Sequence, residues 1–329
     1  MDKKNINFDN FLASVRYKLY YSLLPQVSSA INGFNRTPNY SNILVITGSP
    51  RSGTTWLAEV LSKVTDFPIL WEPLFPNEKN IHIHNVINFE RIYFKDNEKE
   101  KIKDDLFKYM FTVFSGRQLN PTTLRNCDLL RSISPKGWVV KFCLATPLIP
   151  WINDSFPLIK PIIIVRHPCA VIASQIKWGW WKKWQNYDPL DLETAFSPVI
   201  PTYALDTLRK VVREITTFEE ILSVVWCLDN LRVLREDINP SNLIIPYECI
   251  VADGEKSILR ILSHVKQINL NSKPKSIESY LYKFSSTTHH LSSFNKGNRS
   301  LNRWREELSH EQIKKIMKIV NDFEINLYE

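Results

Sequence analysis

A short apolar run that stops at a glycine restricts this chain more than any other stretch. Residues 43–47 read ILVIT, and Gly48 follows at once. The run has no polar face, so it predicts a strand buried on both sides of a sheet. Residues 53–64 then predict a helix, with Trp56, Leu57, Val60, Leu61 and Val64 near helical spacing. Between them Gly48 and Gly53 are separated by four residues, in a chain with only 8 glycines. A strand, a glycine loop and a helix in this order aim backbone N–H groups and the positive helix end at one point, which suits an anion. Thr54 and Thr55 add hydroxyl donors. A nucleoside-triphosphate loop would continue with Lys and then Ser or Thr after its second glycine. Here Thr54 follows, and the cation is Arg51, inside the loop. The lysine that spans outer phosphates and the usual Mg²⁺ arrangement are missing from their usual places. A ligand with one 5′-phosphate carrying a further anionic group needs less: one guanidinium fork, a backbone cradle and no metal.

The rest of the chain alternates strand and helix. Residues 138–142 (WVVKF), 161–165 (PIIIV) and 243–247 (LIIPY) predict further strands. Helices are expected from Pro168, over residues 218–237, from about Asp253, and over residues 310–323. Residues 185–205 read as a long loop. The alternation predicts an α/β fold, a parallel sheet with helices on both faces, and ligands at the carboxyl ends of the strands. One domain over residues 1–329 is expected, with residues 1–40 as an N-terminal helical arm and residues 41–329 as the core. Apolar residues at 44% and charged residues at 23% are enough for that core.

A second anchor follows the strand at 161–165. Arg166 ends it, and Ser174 lies eight residues on, two turns into the next helix. A guanidinium and a hydroxyl at that spacing can meet on one phosphate.

With these residues in place, the chain resembles the sulfotransferases that use 3′-phosphoadenosine 5′-phosphosulfate (PAPS), over about residues 43–325. PRSGTTW at 50–56 resembles their 5′-phosphosulfate loop, in the Arg-bearing version of the carbohydrate and tyrosyl-protein branch. The resemblance implies a P-loop-like sulfotransferase fold. It implies that Arg51, Ser52, Gly53, Thr54 and Thr55 hold the 5′-phosphosulfate. Trp56 would lie against the adenine or fill the helix core. Arg166 and Ser174 resemble the family's 3′-phosphate element, although His167 stands where Asp is common. Tyr247 and Glu248 resemble its YED-type segment, and Tyr247 would approach the adenine. FNKGN at 294–298 resembles the loop over the 3′-phosphate, which would assign Lys296 and Gly297 there or leave them in a plain turn. Cytosolic members carry a general-base His on a central strand, where this chain has Cys143. The other branch uses a Glu after the phosphate-loop helix, and ILWEPLF supplies Glu72. Glu72 is therefore the expected general base, with an ion pair to Arg51 or Lys141 as the alternative. Trp71, Pro73 and Leu74 would keep water from it and strengthen it as a base. Lys141 would neutralise charge on the leaving oxygen, or else face solvent at a strand end. His82 and His84 are reserve bases. No metal is expected.

The acceptor is less constrained. Lys177, Trp178, Trp181 and Trp184 follow the second anchor at helical spacing. Aromatic faces stack on sugar rings, which favours a glycan or glycolipid acceptor; the alternative is a lid packed on the core. A lipid, a small phenol or alcohol, or a protein tyrosine are further acceptors. Two rival classes are a kinase or NTPase and a nucleotide-binding scaffold without chemistry. The net charge of +8, from 42 basic and 34 acidic residues, suits an anionic ligand, and no nucleic-acid motif accompanies it. The five cysteines form no CxxC pair, which points to a reducing compartment and a cytoplasmic protein. No run of about 18 apolar residues predicts a membrane span, though peripheral membrane contact by residues 11–31 is open.

Overall fold

The computed structural model describes residues 37–74, 87–88, 91–94, 100–119, 122–124, 131–132, 135–235, 239–265, 277–281, 285–286 and 301–328. The expected arm up to residue 36, and His82, His84, Lys296 and Gly297, lie outside the described residues. The strands are β1 Ile43–Thr47, β2 Ile69–Trp71, β3 Ile87–Asn88, β4 Arg91–Ile92, β5 Trp138–Lys141, β6 Ile162–Val165 and β7 Leu243–Pro246. Five of them form one parallel sheet in the order β2-β5-β1-β6-β7. β3 and β4 form a separate antiparallel pair.

The apolar runs are explained by two cores. Ile43 and Val45 of β1 point into one, while Leu44 and Ile46 point into the other. β6 divides in the same way, with Ile163 and Val165 on one side and Ile162 and Ile164 on the other. Every position of these strands is thus buried, at roughly 1.5–3 kcal/mol of transfer free energy per large aliphatic side chain.

Helices cover both faces. In chain order they are α1 Thr54–Thr65, α2 Glu100–Phe114, α3 Ile149–Ser155, α4 Pro168–Trp178, α5 Pro189–Phe196, α6 Thr202–Glu214, α7 Phe218–Arg235, α8 Tyr247–Asp253, α9 Glu255–Val265, α10 Glu278–Leu281, α11 Trp304–Glu307 and α12 His310–Asp322. α1, α8, α9 and α10 pack into the second core, and the others into the first. None of the described helices is long and apolar enough to cross a membrane.

Three expectations are corrected. The stretch 185–205 is mostly helical: a 3₁₀ turn over Trp180–Asn186 leads to α5 and then to α6. Pro189 and Pro201 open these helices, and Asp188 caps α5 by accepting from Leu190 N. The helix expected from about Asp253 is α9, and the short helix α8, from Tyr247, precedes it where strand was expected to end; Gly254, at φ 44°, separates the two. β2 is an additional strand, on the sheet edge beside β5.

Candidate functional site

All five sheet strands end on one edge, and each delivers a side chain there. The glycine loop follows β1, Glu72 follows β2, Lys141 ends β5, Arg166 follows β6 and Tyr247 follows β7. Lys141 is in register with both Ile46 and Trp71, so its neighbours on either side are the loop's strand and the strand leading to Glu72. The chain turns from one half of the sheet to the other between β1 and β6, where crevices form in open α/β sheets.

The loop is tightly specified. Gly53 stands at the N-terminus of α1 with φ 102°, and a Cβ there would meet the Tyr247 ring at 2.6 Å. Arg51 holds φ 78°, a left-handed conformation that a residue with a side chain keeps only where its surroundings fix it. Its Nε donates to Ser174 Oγ at 3.0 Å, and its guanidinium lies 4.6 Å over the Trp178 ring. Arg166 donates to the Arg51 carbonyl at 3.1 Å and lies 4.7 Å over the Tyr247 ring. The sequence put Ser174 with Arg166; the hydroxyl's direct partner is Arg51, because the loop folds back over α4. Burial and the neighbouring Arg166 charge pull the Arg51 pKa below its ordinary value. Among the described residues neither guanidinium is paired with a carboxylate. Ser52 Oγ and Arg166 Nε are buried without a hydrogen-bond partner. Two unneutralised cations and two buried polar groups lacking partners fit a ligand with more than one anionic group. Trp56 is 5% exposed, packed in the second core, with its ring 5.8 Å from the Tyr247 ring in a T-shaped contact.

Beside the loop is a cluster of Glu72, Lys141 and Cys143. Glu72 turns the chain after β2 with φ 41°. Its N–H donates to the Lys141 carbonyl at 2.9 Å. Its Oε1 pairs with Lys141 Nζ, and its Oε2 accepts from Cys143 N at 2.8 Å. Lys141 Nζ also lies 2.9 Å from Cys143 Sγ and 4.2 Å from the Trp71 ring centroid. Lys141 is 2% exposed, so it does not face solvent. Burial pulls its pKa down, but Cys143 and Glu72 outweigh burial and lift it above the ordinary value. Burial, with Glu72 nearby, pushes the Cys143 thiol up to about 11. Cys143 is therefore a thiol at neutral pH. It also touches Thr54 Oγ1 at 3.2 Å, which connects the cluster to the first turn of α1. Cys143, at the position where cytosolic members carry the His, is a polar link between the carboxylate and the loop.

Other participants were missed. Asn230 and Gln175, both buried, donate to Ser49 Oγ at 2.9 Å and to the Pro50 carbonyl at 3.1 Å. Behind Arg166, Glu248 accepts from His167 N at 3.0 Å and from Tyr328 OH at 2.9 Å. The His167 ring stacks on Trp304 and caps α4 by accepting from Cys169 N. Burial and the charges of Arg305 and Arg166 lower its pKa to about 4, so the neutral ring can accept that bond. Of the tryptophans, Trp181 and Trp184 are buried in the first core, and only Trp180, at 53%, is exposed. Helix α4 ends at Trp178 because Gly179 takes φ 75°, so the tryptophans do not share one helical face. Among the described residues no three His, Cys, Asp or Glu side chains gather as a metal site.

Among curated proteins none matches the chain in sequence. In structure it is similar to the sulfotransferase domain of the curacin biosynthetic pathway, at 18% identity over 89% of this chain and 100% of that one, with a TM-score of 0.46. It is also similar to a mouse sulfotransferase complexed with PAP, at 15% identity over 92% and 90% of the two chains and a TM-score of 0.40. A sulfotransferase from Alicyclobacillus acidocaldarius is similar at 13% identity over 87% and 96%, with a TM-score of 0.40. The profile of the sulfotransferase family matches residues 44–267, which is more than half of the chain. That span takes in the loop, Glu72, Lys141, Arg166 and Tyr247, and by it the protein belongs to the sulfotransferase family.

Proposed function

We propose that the protein transfers a sulfuryl group from PAPS to an acceptor hydroxyl or amine, with Glu72 as general base. The observation that carries this reading is the carboxylate itself: buried at the carboxyl edge of the sheet, tied to Lys141 and Cys143, and linked through Cys143 and Thr54 to the anion loop. PAPS, when bound, supplies the sulfuryl group. Arg51, Ser52, Gly53, Thr54 and Thr55 would hold its 5′ end, and Arg166, together with the Ser174 hydroxyl that accepts from Arg51, would hold its 3′-phosphate. Tyr247 and Trp56 would border the adenine. The two arginines without carboxylate partners support that assignment, since each needs an anion once water is excluded.

An acceptor hydroxyl must lose its proton as it is sulfated, and a carboxylate held in a fixed orientation is suited to take it. Each Glu72 oxygen keeps a lone pair beyond the bond it accepts from Lys141 or Cys143. The ammonium of Lys141 fixes the carboxylate and adds positive charge where negative charge develops. Cys143, a thiol at neutral pH, is no base. A glycan is the acceptor class to test first, on the strength of exposed Trp180 and half-buried Trp178 beside Arg51. The four described cysteines are free thiols, in keeping with a cytoplasmic site.

Glu72→Gln tests the assignment. The amide keeps the shape and accepts no proton. Turnover should fall by about 10²–10⁴-fold, while adenosine 3′,5′-bisphosphate (PAP) binds as before. Turnover within a few-fold of wild type would leave Glu72 as the ion-pair partner of Lys141 and nothing more.

A further inference from the structure

Three successive loop residues are each gripped by a different side chain. Ser49 Oγ accepts from Asn230 Nδ2 at 2.9 Å. The Pro50 carbonyl accepts from Gln175 Nε2 at 3.1 Å. Arg51 Nε donates to Ser174 Oγ at 3.0 Å. The pattern stops at Ser52, whose buried Oγ has no partner. The first half of the loop is thus secured by α4 and α7, and the second half is left for a ligand.

Asn230 is the unusual member. It is 0% exposed and sits in α7 among Trp226, Cys227 and Val233. Its amide nitrogen has two hydrogens, and both have acceptors: Ser49 Oγ, and the Trp226 carbonyl at 2.8 Å. Because the same atom meets a carbonyl and a hydroxyl, it is the nitrogen and not the oxygen. Its Oδ1 is buried without a partner. An unpaired buried acceptor lowers stability, and a leucine of similar size would remove it. Packing therefore does not account for an asparagine here, whereas its bond to Ser49 does.

We propose that Asn230 is a positioning residue: it sets the shape of the anion loop through Ser49, and the fold gives up some stability for it. This rests on the reading that the loop holds the 5′ end of the nucleotide. Stability and affinity should then move in different directions on substitution, which a merely structural residue would not produce.

The test compares Asn230→Leu, Ser49→Ala and the double variant with wild type in the full chain. PAP affinity is read by calorimetry and the unfolding midpoint in urea. Asn230→Leu should keep or raise the midpoint while weakening PAP by about five- to tenfold, the effect of one hydrogen bond. Ser49→Ala should weaken PAP as much, and the double variant no more than either, because both remove the same contact. Arg166→Ala, which leaves Asn230 and Ser49 in place, serves as the control. If it weakens PAP while Asn230→Leu and Ser49→Ala bind like wild type, the positioning role is wrong and the nucleotide site stands. If Asn230→Leu does not fold, Ser49→Ala at wild-type affinity is enough to overturn the role. A wild-type chain that binds no PAP removes the nucleotide reading and this role with it.

Discussion

Glu72 and Lys141 are two charges taken almost wholly out of water, at 7% and 2% exposure. Such a pair adds little net stability, because desolvation offsets the attraction. Losing one partner is a different matter. Lys141→Met leaves the Glu72 carboxylate buried beside an apolar chain, and should lower stability by about 3–5 kcal/mol in urea unfolding at neutral pH. A loss near zero would mean that water reaches the carboxylate. The two residues are legible in sequence, each on its own: Glu72 by its place after the loop helix, Lys141 by its place on a strand. Their pairing was one of two alternatives. What decides it is the three-residue strand β2, too short to show a period, which lies beside β5 and sets Trp71 against Lys141. The turn at Glu72, with φ 41°, has no sequence signature in a residue other than glycine.

At the level of the element, α4 starts on a histidine cap. The cap works only with a neutral ring, and the folded chain lowers the His167 pKa from 6.5 to about 4. Below pH 6.5 the unfolded chain takes up a proton that the folded chain refuses, so stability falls as pH drops toward 4. Asn at this position keeps a capping acceptor and does not titrate. Urea midpoints of wild type and His167→Asn should therefore diverge across that window, with wild type losing more. Parallel curves would refute the cap's role. The elements easiest to read from sequence were those with a strong period or a continuous apolar run: β1, β6 and α1. The helices α5 and α6 were missed because Pro189 and Pro201 read as loop punctuation, although proline is also a helix opener. Asn230 was missed for another reason. On α7 it is one polar residue among many, and only the packing of that helix against the loop reveals its partner.

For the whole molecule, ligand binding is linked to stability. The proposed anion site has two buried polar atoms without hydrogen-bond partners, Ser52 Oγ and Arg166 Nε. PAP at a hundred times its dissociation constant should raise stability by about 2.7 kcal/mol, without Mg²⁺, and be seen as a higher melting midpoint. ATP with Mg²⁺ giving the larger shift would point to nucleoside-triphosphate chemistry. The sheet order has a consequence of another kind, in how the chain must assemble. β1 is the middle strand, yet it precedes both of its neighbours, β5 at Trp138–Lys141 and β6 at Ile162–Val165. Parallel pairing over such separations is slow, because long loops must close before any contact forms. While they close, β1, apolar at four of its five positions, has both edges open, and a second chain can pair with it as readily as the first. Dilution during refolding, or a slow supply of chain, favours the native partner.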